Sequence, residues 1–237
     1  MSFVKIDRDG AVALITLDRD EKLNAISTAV ERELIDALAS DEVHSSAAIV
    51  IAGAGRAFSA GADVTEFADR DPEAILRYYR ETGGVYEEFA TLPQPTVAAL
   101  HGYCLGGGLE LALAADFRIA DETATLGFPE VGIGILPSSG GTVRATQIVG
   151  PARARELILL GERVSARDAL AIGLITEVVD DAPLRALELA RRLAELPPAA
   201  VAVAKAAIDA ATESSREVAL LIERLGYAVL SHTPPPA

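Results

Sequence analysis

The stretch HGYCLGGGLELALAADFRIA (101–120) sets three consecutive glycines against an apolar helical run, with Glu110 two residues past the last of them. The apolar TVAALHG (96–102) before it reads as a buried strand. A strand that stops at Gly102 and restarts as a helix near Gly107 presents unpaired backbone N–H groups at the helix start. Glycines leave that backbone open to close approach, and the helix dipole favours negative charge there. Two uses stay open on the glycines alone: holding an anion or developing oxyanion, or close packing of helix on strand. A nucleotide phosphate loop is excluded, because no Lys-Ser or Lys-Thr pair follows.

A second small-residue stretch, GRAFSAGAD (55–63), follows another apolar run, AAIVIAG (47–53), that reads as a buried strand. Two such loops after two adjacent strands can each aim one N–H at a single oxygen, which is an oxyanion hole. Elsewhere VALITLD (12–18) alternates as a strand, and 27–40 has helical spacing with Ser27 or Thr28 as N-cap. A helical segment covers 72–91, with a break expected at Gly83-Gly84. FRIA, ATLG and LITEVVD (174–180) are strand-like, and FPEVGIGILPSSGG (128–141) is a loop. Within 142–173 two short helices, TVRATQIVG and SARDALAIG, are expected around ARELILLGERV. After Asp181 only helices follow, at 186–196, 199–212 and 216–230, and the tail SHTPPPA is expected to be extended or disordered.

The chain has 237 residues, half of them hydrophobic, enough for one sizeable core. A formal charge of -14 opposes nucleic-acid and anionic-membrane binding, and an anionic ligand would need a local basic patch. One cysteine, Cys104, allows neither an internal disulfide nor a cysteine zinc cluster, and it reads as a small buried filler. No signal-peptide pattern or long apolar span is present, so a cytoplasmic location is expected.

GRAFSAGAD, HGYCLGGGLELALAADFRIA and FPEVGIGILPSSGGT, in that order and spacing, resemble the enoyl-CoA hydratase/isomerase (crotonase) family, and the resemblance runs from LDRDEKLNA (17–25) to the final helices. It implies an α/β fold: a spiral core of ββα units over 1–181, then an all-helical trimerisation region over 182–237. It implies an acyl thioester of coenzyme A as substrate, with no separate cofactor or metal, and a homotrimer or dimer of trimers. By motif position the oxyanion hole would be the N–H groups of Ala60 and Gly107. Ala60, Gly61, Ala62 and Asp63 would line the CoA path, with Lys22 and Arg56 placed for its phosphates. A chain this acidic should bind that polyanion with salt-sensitive affinity. The acyl tunnel is expected from 64–90 and 130–145.

Hydratases of the family carry one glutamate after the glycine run and one in a later x-P-E, here Glu110 and Glu130. Two carboxyls flanking one water can activate it and protonate the α-carbon if their protonation states differ. Glu110 would activate water and Glu130 would deliver the proton. Each residue alone could be bland: acids are common in a helix's first turn, and a loop acid is ordinary. The resemblance implies a 2-enoyl-CoA hydratase; a double-bond isomerase or a non-catalytic acyl-CoA-binding protein are the alternatives. His101 reads as a packing or hydrogen-bonding residue. Two departures stand out. Asp20 occupies a position usually held by proline, and a looser turn is expected there. Relatives commonly add a basic helix after LSHTP that helps close the acyl or CoA site, so CoA affinity, chain-length preference and trimer packing do not follow from the resemblance here.

Overall fold

The computed structural model describes residues 2–66 and 71–232. The alternating, β-branched Val12–Leu17 forms β2, which pairs antiparallel with Val4–Asp9, β1. The wholly apolar Ala48–Gly53 (β3) and Thr96–Leu100 (β4) lie parallel beside β2, both faces covered. Tyr103–Leu105 is β5, Phe117–Asp121 β6, Thr125–Gly127 β7, Val164–Ser165 β8 and Glu177–Val179 β9. The large sheet has the order β1-β2-β3-β4-β6-β9, and β5-β7-β8 make a second, small sheet.

Ten helices complete the described chain: α1 Thr28–Leu38, α2 Asp41–His44, α3 Pro72–Glu81, α4 Val85–Ala90, α5 Gly107–Leu113, α6 Gly141–Leu159, α7 Ala166–Ala171, α8 Ala182–Ala194, α9 Pro198–Glu213 and α10 Arg216–Leu230. Ser27 caps α1 by accepting from Val30 N–H, and Val30, Leu34, Ala37 and Leu38 put one stripe into the core. The expected break at Gly83-Gly84 separates α3 from α4.

The architecture is α/β, with two sheets and C-terminal helices, as the resemblance implies. Its main core lies on the inner face of the large sheet, under α1, α4 and α5. On the outer face, Ala182, Ala186 and Ala190 of α8 are fully buried against Val12, Val50, Val97 and Ile119. Alanine at every fourth position lets the helix lie close to the sheet. α8 therefore shares a core with the residues before it. α9 buries none of its residues and α10 only Ala219, so these two stand off the core.

Three local readings need correction. The strand before the glycines does not run straight into a helix, because β5 intervenes and leaves for the second sheet. ARELIL belongs to a helix: α6 breaks at Gly150 (φ 75°) and restarts at Pro151, a residue suited to a first helical turn, burying Ala154, Leu157 and Ile158. The turn at Asp20 is tied rather than loose. The Asp20 carboxylate accepts from Arg56 N (2.9 Å) and Arg56 Nε (3.2 Å), and these bonds hold it below the usual carboxylate range. The reading of the proline-rich tail falls on 233–237, outside the described residues.

Candidate active site

β3 and β4 are parallel neighbours, so the loops after them leave the same end of the sheet. The first loop is stitched to the second. Phe58 N donates to His101 O (2.8 Å), Ser59 N to Tyr103 O (2.9 Å), and Leu105 N to Ser59 O (3.0 Å). The loop then bridges to residue 26: Ile26 N donates to Gly61 O and Asp63 N to Ile26 O, both at 2.8 Å. Along such a ladder successive N–H groups point to opposite sides, so the Ala62 N–H between them faces away from residue 26. It has no hydrogen-bond partner among the described residues, and neither has Gly107 N–H at the start of α5.

Ala60 is not so placed. Its N–H donates to Leu23 O at 2.9 Å, so it is unavailable to a ligand, and the expectation that it forms half of an oxyanion hole is corrected. The open amide lies two residues on. A Cβ on Gly107 would sit 3.3 Å from Ala62 N, so the two free amides border one space.

The three glycines divide the two uses that the sequence left open. Gly106 has φ 50°, and a Cβ there would lie 2.8 Å from Glu130 Oε1. Gly107 borders the narrow space between Ala62 N and Tyr86 Oη, each 3.3 Å from where its Cβ would be. Gly108 is packing: its Cβ would meet Ser59 Cβ at 2.7 Å.

Glu110, in the first turn of α5, is buried. Its Oε1 accepts from Ser139 N (2.7 Å) and Gly141 N (2.8 Å), where the 137–141 turn enters α6. Burial raises its pKa, while those two N–H groups and the charge of Arg144 pull it back. Arg144 also steadies the turn, with Nη1 donating to Ser139 O (3.0 Å) and Nη2 to Glu87 (2.5 Å). Tyr79 Oη hydrogen-bonds Ser138 Oγ on the same turn.

Glu130 opens a 3-10 turn, Glu130–Ile133, and is buried. Its Oε2 is buried without a hydrogen-bond partner among the described residues. Burial pushes its pKa up to about 7; a hydrogen bond from its own backbone N–H pulls the other way, and the nearby Glu110 charge adds to the rise. The site thus brings together two carboxyls of contrasting support and two free amides. One carboxyl is held by two N–H donors from a neighbouring turn; the other has one oxygen, Oε2, without a partner among the described residues and a pKa raised to about 7.

The remaining expected residues are less committed. Asp63 is satisfied internally by Thr65 and by Arg19 Nη1 (3.0 Å), which lower its pKa. Gly61 O is held by Ile26. Lys22 is exposed with no side-chain partner among the described residues, while Arg56 is exposed but paired with Asp20. His101 Nε2 lies 3.0 Å from Gly55 O, a loop contact. Cys104 is fully buried, and burial pushes its thiol up beyond the titratable range. Among the described residues no group of side chains could hold a metal ion, and no helix is long and apolar enough to cross a membrane. Sequence reasoning missed Tyr79, Tyr86 and Arg144 as named residues, although 64–90 and 130–145 contain all three.

Residues 7–232 match the family described as Enoyl-CoA hydratase/isomerase, and the chain belongs to it. The chain is 39% identical over 225 residues to a Mycobacterium bovis protein named "Probable enoyl-CoA hydratase echA8", covering 93% of this chain and 86% of that one. It is 36% identical to the 2,3-dehydroadipyl-CoA hydratase of Escherichia coli, covering 98% of this chain and 92% of that one. Among solved structures, the enoyl-CoA hydratase from Thermoplasma volcanium superposes with a TM-score of 0.93 at 36% identity, covering 99% of this chain and 94% of that one.

Proposed function

We propose that this protein hydrates the 2,3 double bond of 2-enoyl-CoA thioesters. The observation that carries the reading is the contrast between Glu110, whose Oε1 is held by two N–H donors from the 137–141 turn, and Glu130 beside it, whose Oε2 is buried without a partner among the described residues and whose pKa is pushed up to about 7. The thioester oxygen accepts from the N–H groups of Gly107 and Ala62. Glu110 takes a proton from water as its oxygen bonds to C3. Glu130 gives its proton to C2, and electron density passing through the thioester oxygen is held by the amides. A proton returned from Glu110 to Glu130 through solvent restores the starting state. Removing one such donor raises a barrier by about 3 kcal/mol, roughly a hundredfold in rate. Lys22 and Arg56 would meet the CoA phosphates, Arg56 by sharing or exchanging its bond to Asp20. Exposed apolar residues on α10 support self-association, which in this family would make a trimer or a dimer of trimers.

The test follows the loss of the conjugated thioester chromophore of a short 2-enoyl-CoA with wild type, Glu110→Gln and Glu130→Gln. A hydratase loses activity steeply in both variants. Conversion of a 3-enoyl-CoA with only mild loss in Glu110→Gln would establish an isomerase instead. Retention of CoA ligand without turnover would establish a binding protein.

A further inference from the structure

α3, the turn after it and α4 carry three tyrosines, and two have hydroxyls bound within the protein. Tyr78 Oη donates to Glu31, and Tyr79 Oη bonds Ser138 Oγ. The third, Tyr86, is only 3% exposed as a residue, and its hydroxyl, which bonds none of the described residues, is not sealed in with the unpartnered buried atoms but keeps some open surface. A hydroxyl left open at the end of a buried ring is free to bond whatever enters the space before it, which phenylalanine could not do. Its position is specific. A Cβ on Gly107 would lie 3.3 Å from Tyr86 Oη and 3.3 Å from Ala62 N. The hydroxyl therefore borders the same small space as the two free amides and approaches it from a third element, α4.

We propose that Tyr86 is a further catalytic residue, its hydroxyl donating a third hydrogen bond to the thioester oxygen. The inference rests on the hydratase reading above and names a donor which that reading does not require. Burial, with the charges of Glu31 and Glu110 nearby, raises the phenol pKa well above its ordinary value, so the group is a donor and not an anion. The bond strengthens as negative charge builds on the oxygen, so it acts on the barrier more than on ground-state binding.

Tyr86→Phe keeps the ring and removes only the hydroxyl. The expected result is a fall in kcat of about tenfold to a hundredfold with KM within about twofold. A second readout is the 13C resonance of a saturated acyl-CoA labelled at the thioester carbon. Bound to wild type it should move downfield of the free ligand, and in Tyr86→Phe part of that shift should be lost. A residue that only fills space would not move it. If Tyr86→Phe fails to fold, site-specific 3-fluorotyrosine at 86, nearly isosteric and a stronger donor, should enlarge the shift. Wild-type hydration that Tyr86→Phe leaves unchanged, with the same carbon shift, overturns this inference alone. A wild type without hydratase turnover overturns the parent reading and this one with it.

Discussion

Glu110 and Glu130 are the same residue type made different by what surrounds them, and pH should separate them. On the proposed mechanism hydration requires Glu130 protonated, so kcat/KM should fall as pH rises through about 7. It needs Glu110 ionised, so the acid limb should lie above the ordinary glutamate value, because burial raises that pKa. Arg144→Ala removes a charge that favours the ionised form, so the acid limb should move to higher pH while the alkaline limb stays. A pH–rate profile of both proteins checks this. Stability carries the same information. Folded Glu130 holds its proton up to about 7 while the unfolded chain releases it near 4.5, so between those values the folded state binds more protons and its stability falls as pH rises. Glu130→Gln should therefore gain in melting temperature relative to wild type at pH 8, and not at pH 4. An equal difference at both pH values would show that Glu130 ionises freely in the folded chain. That both glutamates would be buried at one place could be read from the sequence because each stands in a short motif with fixed neighbours. The second amide was placed two residues early, because the side to which a loop N–H points follows from its bridge to residue 26, a contact made far away in the sequence.

At the scale of elements, the start of α5 places one substitution in two unlike settings. Gly107→Ala puts a methyl into the space between Ala62 N–H and Tyr86 Oη, where a substrate atom is expected. It should keep its melting temperature within a few degrees and lose activity by about a hundredfold. Gly108→Ala forces a methyl to 2.7 Å from Ser59 Cβ in a packed interior, so it should cost about 1–3 kcal/mol of stability. Thermal melts and initial rates on the two variants test the division, and loss of fold in Gly107→Ala would refute it. The elements read well where one pattern decided them: β3 and β4 by unbroken apolar runs, α1 by cap and stripe, the α3–α4 break by Gly83-Gly84. β5 was hidden because three residues that leave for another sheet carry no period of their own. The second half of α6 was hidden because a glycine followed by proline ends one helix and begins the next with the same signal.

For the whole molecule, the question is what covers α9 and α10. Ile208, Leu221, Leu225, Tyr227 and Val229 are all more than half exposed, while Lys205 Nζ reaches Asp116 (3.0 Å) to tie the pair to the core. Clustered exposed apolar side chains mark an association surface, and they lie on α9 and α10, since α8, the first helix after Asp181, packs on the large sheet. A second consideration is charge. At -14 per chain, association concentrates like charge, so the contact must be apolar enough to overcome repulsion. Salt then discriminates. An interface made by apolar helices should hold or tighten at 1 M salt, where screening leaves a Debye length of about 3 Å, while one made by ion pairs should loosen. Light scattering should give a mass of three or six chains at low and high salt. Leu221→Glu with Leu225→Glu, both on solvent-facing positions of α10, should lower the mass without lowering helix content by circular dichroism. A wild-type monomer at micromolar concentration would remove the association and leave the exposed pair without a task.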